Sequence, residues 1–293
     1  MDKKWVFREF DSREAKSLQA ALEMQNPVPA QLLVQRNIKT FEEARSFFRT
    51  SADLLSDPFL MKGMDRAVER IHQAFLRNEK ILVYGDYDVD GTTAVAMVYS
   101  YLKKIHSQVQ YYIPHRFREG YGVSELGIQW AKNEGVQLMI TLDCGIKAIE
   151  QVQKANELGI DVIICDHHLP DVELPAAYAI LNPKQTDCPY PYKELCGCGV
   201  GYKLISAFHQ RHPVTEADPN ELLDLLATAI AADIVPITGE NRVMAVLGLE
   251  KANQNPSLPL KVLRDINNLK KPFTINDLVF IIAPRVNAAG RMD

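Results

Sequence analysis

No apolar run in this sequence approaches the roughly 20 residues needed to span a bilayer. The start, Met1-Asp2-Lys3-Lys4-Trp5, has two lysines but no apolar stretch behind them, so neither a membrane segment nor a secretory signal is expected. Cysteine is scarce: five in 293 residues, an odd number that disulfides cannot use up. Reduced thiols in the cytoplasm are the reading that follows. A basic excess is also missing, with 33 Lys and Arg against 37 Asp and Glu. The net charge of −4 gives no global attraction to nucleic acid. It does not exclude one, because carboxylates gathered around bound cations would hide a local basic groove in the total. There is no internal repeat and no low-complexity segment. What is present, 47% hydrophobic and 24% charged residues, is ordinary for a globular protein with a sizeable core.

The first eighty residues read as helical and connective. Ser12 is placed to cap a helix through Ala15, Leu18, Ala21 and Leu22, ending before Pro27 and Pro29. Further helices are expected over 29–35, 40–49 and 64–77. From Lys80 short Val/Ile-rich runs alternate with amphipathic stretches. Strands are predicted over 81–84, 109–113, 136–140, 161–165 and 178–181, with helices over 92–104, 124–133 and 147–158. This alternation predicts an α/β fold, a parallel β-sheet flanked by helices. After a loop over 182–201 the pattern is helical again, over 200–211, 219–232, 241–253, 259–267 and 274–282. The expected division is an N-terminal helical segment, 1–78, and an α/β domain with a helical C-terminal part, 79–293.

In an open parallel sheet, ligands bind outside the carboxyl ends of the strands. Three predicted strands end in groups that suit hard cations. The first runs into Asp86, Asp88 and Asp90, another into Asp143, and another into Asp166-His167-His168. Carboxylates this close would repel and partly protonate without a metal. Mixed carboxylate and imidazole donors suit Mn²⁺ or Mg²⁺, Mn²⁺ better where histidine takes part. Two ions about 3.5–4 Å apart can activate a water and stabilise the leaving oxygen of a phosphate ester. Taken singly, each group has a plainer explanation. The Asp-x-Asp-x-Asp-Gly run follows a strand and lacks the Glu of a calcium loop. Asp143 is as good a helix cap as a ligand, and the two histidines could be an ordinary loop pair.

The segments 85–91, Asp143-Cys144-Gly145 and Asp166-His167-His168 together resemble the first three motifs of the DHH phosphoesterase superfamily. Ala231-Ala232-Asp233-Ile234-Val235-Pro236 resembles the fourth, which makes Asp233 a bridging or terminal ligand. Within that superfamily the details are similar to the RecJ family of single-strand-specific 5′→3′ exonucleases. The similar segments are 113–116 with Glu119-Gly120-Tyr121-Gly122, then 181–184, 188–191, 197–201 and 284–292. The resemblance implies DNA repair and recombination work that releases 5′-mononucleotides. It also implies a DHH-associated and an oligonucleotide-binding domain beyond the point where this chain stops.

By the same resemblance Asp88, Asp90, Asp143, His167 and Asp233 hold two Mn²⁺ (or Mg²⁺) ions. Asp86 is a ligand or orients one, His168 faces the scissile phosphate, and Asp166 fixes a histidine. Arg116 and Arg285 are the expected phosphate clamps, since a guanidinium grips phosphate with two hydrogen bonds. For Arg116 an ion pair with Glu119 is the competing reading. His115, Asn287 and Arg291 are further substrate contacts, and Tyr121 is a candidate for stacking on a base. Gly197, Gly199 and Gly201 look like a loop opening a helix and presenting N–H groups to phosphate. Zinc at Cys188, Cys196, Cys198 and His209 is disfavoured by the spacing. Single-stranded DNA is the expected substrate, with a single-strand-binding protein and a helicase as partners. The rival functions are a DHH-type hydrolase of oligoribonucleotides, cyclic dinucleotides or pyrophosphate, and a non-catalytic single-strand-binding scaffold.

Overall fold

The computed structural model describes Lys4 and residues 6–290, and the chain forms two compact units, Met1–Leu54 and Leu55–Asp293. In the first unit three short helices, α1 (Ser12–Ala21), α2 (Pro27–Val34) and α3 (Phe41–Phe48), enclose a small core around Leu18, Leu33, Val34 and Ala44. The cap of α1 is Asp11 and not Ser12: its carboxylate accepts the Arg13 N–H at 2.7 Å. A carboxylate at this position also meets the positive end of the helix dipole. Asn26 caps α2 and sets Pro27 as its first residue, where proline's missing N–H costs nothing.

The second unit begins with α4 (Met64–Leu76) and continues β1 (Ile81–Gly85), α5 (Val89–Ile105), β2 (Val109–Tyr112), α6 (Glu125–Asn133), β3 (Leu138–Leu142), α7 (Ile149–Glu157), β4 (Asp161–Cys165) and β5 (Ala179–Leu181). The five strands form one parallel sheet in the order β2-β1-β3-β4-β5. Side chains divide between its faces with the period of two that a strand imposes. Ile81, Val83, Leu138, Ile140 and Ile163 pack against α4 and α5. Leu82, Tyr84, Met139, Val162 and Ile164 pack against α6 and α7. With both faces covered, each fully buried Val, Ile or Leu contributes about 1.5–3 kcal/mol.

The remaining helices are α8 (Gly197–Arg211), α9 (Leu223–Ala232), α10 (Gly239–Gln254), α11 (Leu258–Ile266), α12 (Ile275–Asp277) and α13 (Ala283–Ala289). Helix α8 completes the face that carries α4 and α5, while Leu226 of α9 and Met244 of α10 reach the same core. Four of the differences from the sequence reading have a local cause. Helix α5 starts three residues earlier than expected, because Asp88 accepts the Gly91 N–H at 3.0 Å and caps it. Helix α8 likewise includes Gly197 and Gly199, so these glycines belong to its first turn and not to a loop. Strand β3 is displaced to 138–142 by its pairing with β1, which runs on to Gly85 and Leu142. The helix expected over 274–282 widens into a π-helical turn, Leu278–Ile282, and continues as α13. Pro284 explains this: it has no N–H for an α-helical bond and its ring crowds the preceding turn.

Candidate metal centre

The sheet register builds the site. Gly85, Leu142 and Cys165 are neighbours in one row across β1, β3 and β4. One residue further along each strand stand Asp86, Asp143 and Asp166, all buried. Asp143 holds its position in the left-handed region, φ 60°, which aspartate tolerates better than most residues. Its N–H donates to Cys165 O at 2.9 Å. It caps no helix, since α7 starts at Ile149 with Ala148 before it.

Three groups of donors converge beyond this row. Asp86, Asp88 and Asp143 form one, Asp90, His167 and Asp233 a second, and Asp143, His167 and His168 a third, each with its ligand atoms within 4.8 Å of one another. His167 Nε2 lies 3.2 Å from Asp143 Oδ1, 3.5 Å from Asp233 Oδ2 and 3.9 Å from Asp90 Oδ2. Asp233 reaches the group from the C-terminal end of α9.

Two glycines let the backbone close in on these acids. A Cβ on Gly91 would lie 2.5 Å from Asp86 O, and one on Gly197 would lie 2.5 Å from Asp143 Oδ1. The sequence suggested that the N–H groups opening α8 face a phosphate, but protein acceptors take them instead. Gly197 N donates to Asp90 Oδ2 at 2.6 Å, Cys198 N to Asp90 Oδ1 at 2.8 Å, and Gly199 N to Cys196 Sγ at 3.3 Å.

The electrostatics show what the cluster needs. Burial, with help from neighbouring carboxylates, pushes Asp86 and Asp233 up to about 6 and Asp90 up to about 7. Asp143 is pushed well above the usual range by burial and then by Asp90. Burial lowers His167 to about 4, so its imidazole is neutral, the ligand form. Both oxygens of Asp86, Asp143 Oδ1, Asp233 Oδ2 and His167 Nε2 are buried with no hydrogen-bond partner. Unpaired buried polar atoms are costly, and a carboxylate-rich set with one imidazole is the donor chemistry of Mn²⁺ or Mg²⁺. The residues present fit divalent cations.

Asp166 differs. Burial alone would raise it, but the His168 hydrogen bond and charge, with backbone donors, hold it below the usual range. Its Oδ1 accepts from His168 Nδ1 at 2.7 Å and from His167 N at 2.7 Å, and its Oδ2 from Ile146 N at 3.0 Å. The other ring nitrogen of His168 meets the Tyr121 hydroxyl at 3.2 Å. Tyr84 anchors the Tyr121 loop from below, donating to Gly122 O at 2.9 Å and accepting from Ser124 N at 3.0 Å.

The expected phosphate contacts separate. Arg116 stacks over the ring of Tyr87, 5.0 Å from its centroid. Glu119, the rival partner of Arg116, is occupied instead by Tyr112 and by His115 N at 2.7 Å. His115 Nδ1 accepts from Phe117 N at 3.2 Å and so tightens its own loop. Arg285 is turned back along α13, donating to Ile281 O at 2.7 Å. Asn287 lies on the same helix, whose end comes close to the Asp86–Asp90 loop: a Cβ on Gly290 would sit 3.0 Å from Tyr87 O. Arg291 falls outside the described residues. The cysteines are buried and free, and none joins a metal-binding group among the described residues.

Sequence reasoning missed three participants. Tyr87 supports Arg116, and its position between two motif aspartates was the available signal. Asn182 donates to His168 O at 2.9 Å, and the charge of Lys184 acts on His167 and Asp233. Both lie in a segment singled out for its order alone.

The profile of the DHH family, N-terminal domain, matches residues 80–230. The chain belongs to the DHH family. Among curated relatives in it, the single-stranded-DNA-specific exonuclease RecJ of Bacillus subtilis (strain 168) is 44% identical over 291 residues, covering 99% of this chain and 36% of the relative. A crystal structure of exonuclease RecJ bound to manganese matches with a TM-score of 0.72 at 33% identity, covering 81% of this chain and 59% of that one. RecJ of Thermus thermophilus in complex with Mn²⁺ matches with a TM-score of 0.78 at 28% identity, covering 95% of this chain and 39% of that one. The chain spans about a third to a half of the length of the curated RecJ relatives it matches.

Proposed function

We propose that this chain is the catalytic part of a single-stranded-DNA-specific 5′→3′ exonuclease that hydrolyses phosphodiester bonds at a two-metal centre. The observation that carries the reading is the pair of adjoining donor groups, Asp86-Asp88-Asp143 and Asp90-His167-Asp233, at the ends of paired strands. The 44% identity to a curated RecJ supports the choice of substrate. When bound, two divalent cations activate a water and stabilise the leaving oxygen.

The chain's own groups complete the chemistry. Asp88, Asp90, Asp143, His167 and Asp233 hold the ions, with Asp86 as a further donor. His168, oriented by Asp166, gives up its Tyr121 contact and donates its Nε2–H to the charge that develops on the scissile phosphate. Arg116, held over Tyr87, grips a neighbouring phosphate with His115 beside it in the chain, and Arg285, once released from Ile281 O, and Asn287 are further contacts from α13. The reading implies a cytoplasmic enzyme of DNA repair and recombination, working with a single-strand-binding protein and a helicase. No helix among the described residues is long and apolar enough to cross a membrane.

The test is a time course on 5′- and 3′-labelled single strands with Mn²⁺, beside a dinucleotide and pyrophosphate. Mononucleotides appearing at once from the 5′ label, and late from the 3′ label, are expected. Preference for the small substrates would overturn the reading.

A further inference from the structure

The strand that borders β4 leaves the sheet at the same edge as the metal donors. Leu181 of β5 stands beside Cys165, and Asp166 N donates to Leu181 O at 3.0 Å. The next residue, Asn182, is fully buried. Its amide donates to His168 O at 2.9 Å, and its Oδ1 accepts the N–H of Lys184 at 2.8 Å. One side chain therefore ties the backbone of Lys184 to the loop that carries the two histidines. Gln185, also buried, donates to Ile180 O at 3.1 Å and holds the segment from its other side.

The backbone of Lys184 is fixed in this way, while its ammonium is only loosely held. The side chain is 20% exposed, and its ion-pair partner is Glu194, 3.6 Å away and 46% exposed. That separation is beyond hydrogen-bond reach, and a pair with one member so open to water is weak. The charge of Lys184 reaches inward instead. No other lysine or arginine acts as strongly on His167 and Asp233, where it favours the neutral imidazole and the ionised carboxylate.

Charge balance gives this cation a task. Asp86, Asp88, Asp90, Asp143 and Asp233 bring five carboxylates to the donor groups. Against two divalent cations the loaded centre keeps one negative charge in excess, and a phosphodiester adds another. Asp166 is matched by His168, so that pair leaves the excess as it is. In a site shielded from water, such an excess opposes both the substrate and the charge that develops in the transition state. Arg116 and Arg285 serve neighbouring phosphates in the reading above, which leaves the scissile phosphate in need of a cation.

We infer that Lys184 supplies it, the ammonium turning from Glu194 to the scissile phosphate as the strand binds. The inference rests on the phosphodiesterase reading above and adds a catalytic residue to it. The lysine stays protonated throughout and forms no covalent bond.

Calorimetric Mn²⁺ titration and hydrolysis of a 5′-labelled single strand, made on the same variants, test it because the two readouts move in opposite directions. In Lys184→Met a positive charge beside the ions is gone, so Mn²⁺ should bind about two- to tenfold more tightly. In the same variant kcat should fall about 10–100-fold. Lys184→Arg keeps the charge and should hold both within about threefold. Glu194→Gln removes the competing partner and should raise kcat/KM about two- to fivefold; a merely structural pair would make it copy Lys184→Met. An unchanged rate and Mn²⁺ affinity in Lys184→Met overturn the inference, as does a rate that falls together with Mn²⁺ affinity and melting temperature. If the unmodified chain cuts a dinucleotide or pyrophosphate in place of the strand, the exonuclease reading falls, and the same opposite shifts on that substrate still decide the role of Lys184.

Discussion

Gly197 donates its backbone N–H to Asp90 Oδ2 at 2.6 Å, tying the start of helix α8 to the aspartate run after β1. The same glycine lies against Asp143, so a methyl group there would be forced to 2.5 Å from Asp143 Oδ1. Helix propensity alone favours Gly197→Ala by about 0.8–1 kcal/mol. Crowding wins here, and a net loss of about 1–3 kcal/mol is expected on urea denaturation. Mn²⁺ affinity should fall at least about tenfold.

Asp166 touches no substrate in this account and acts by positioning His168. Asp166→Asn keeps the shape but replaces a charged acceptor, and kcat should fall about 10–100-fold with KM little changed. A role in folding alone would instead lower the melting temperature and leave kcat per folded molecule intact.

Arg116 has the opposite signature. Arg116→Gln should weaken single-strand binding with kcat nearly unchanged. Followed by fluorescence anisotropy, the slope of log affinity against log salt should shrink by about 0.7, the value for one phosphate contact on a single strand.

Metal-free protein should become less stable as pH rises. Asp86 and Asp233 at about 6 and Asp90 at about 7 lie above the roughly 3.9 of an unfolded aspartate. Between those values the folded chain binds more protons than the unfolded one, so stability falls with pH. His167, lowered to about 4, works the other way below about 6.5, but it is one group against three. Thermal melts with EDTA from pH 5 to 8 should show a falling midpoint. With Mn²⁺ the fall should vanish, because ligands that must lose protons bind metal better as pH rises.

Much of the fold was legible because its strands are buried on both faces, and so appear as short Val/Ile runs that end in acids. Asp86, Asp143 and Asp166 could be placed together from topology alone, since parallel strands present their carboxyl ends on one edge. Helix starts were less legible. Asp11 outcompetes Ser12, and Asp88 and Cys196 cap turns that contain glycines. The partners of Asp90 were not legible at all, because they are backbone groups more than a hundred residues away. Nor could periodicity show that Arg285 folds back on its own helix while Arg116 lies on Tyr87.

Asp143 belongs to the Asp86-Asp88 donor group and lies 3.2 Å from His167 of the other, so it joins the two. Asp143→Ala should be measured for Mn²⁺ stoichiometry and for release of nucleotide from a 5′-labelled single strand, with circular dichroism confirming the fold. Fewer than two ions bound and a rate lower by about a thousandfold or more are expected. A folded variant that keeps two ions and cuts at the original rate would contradict that role.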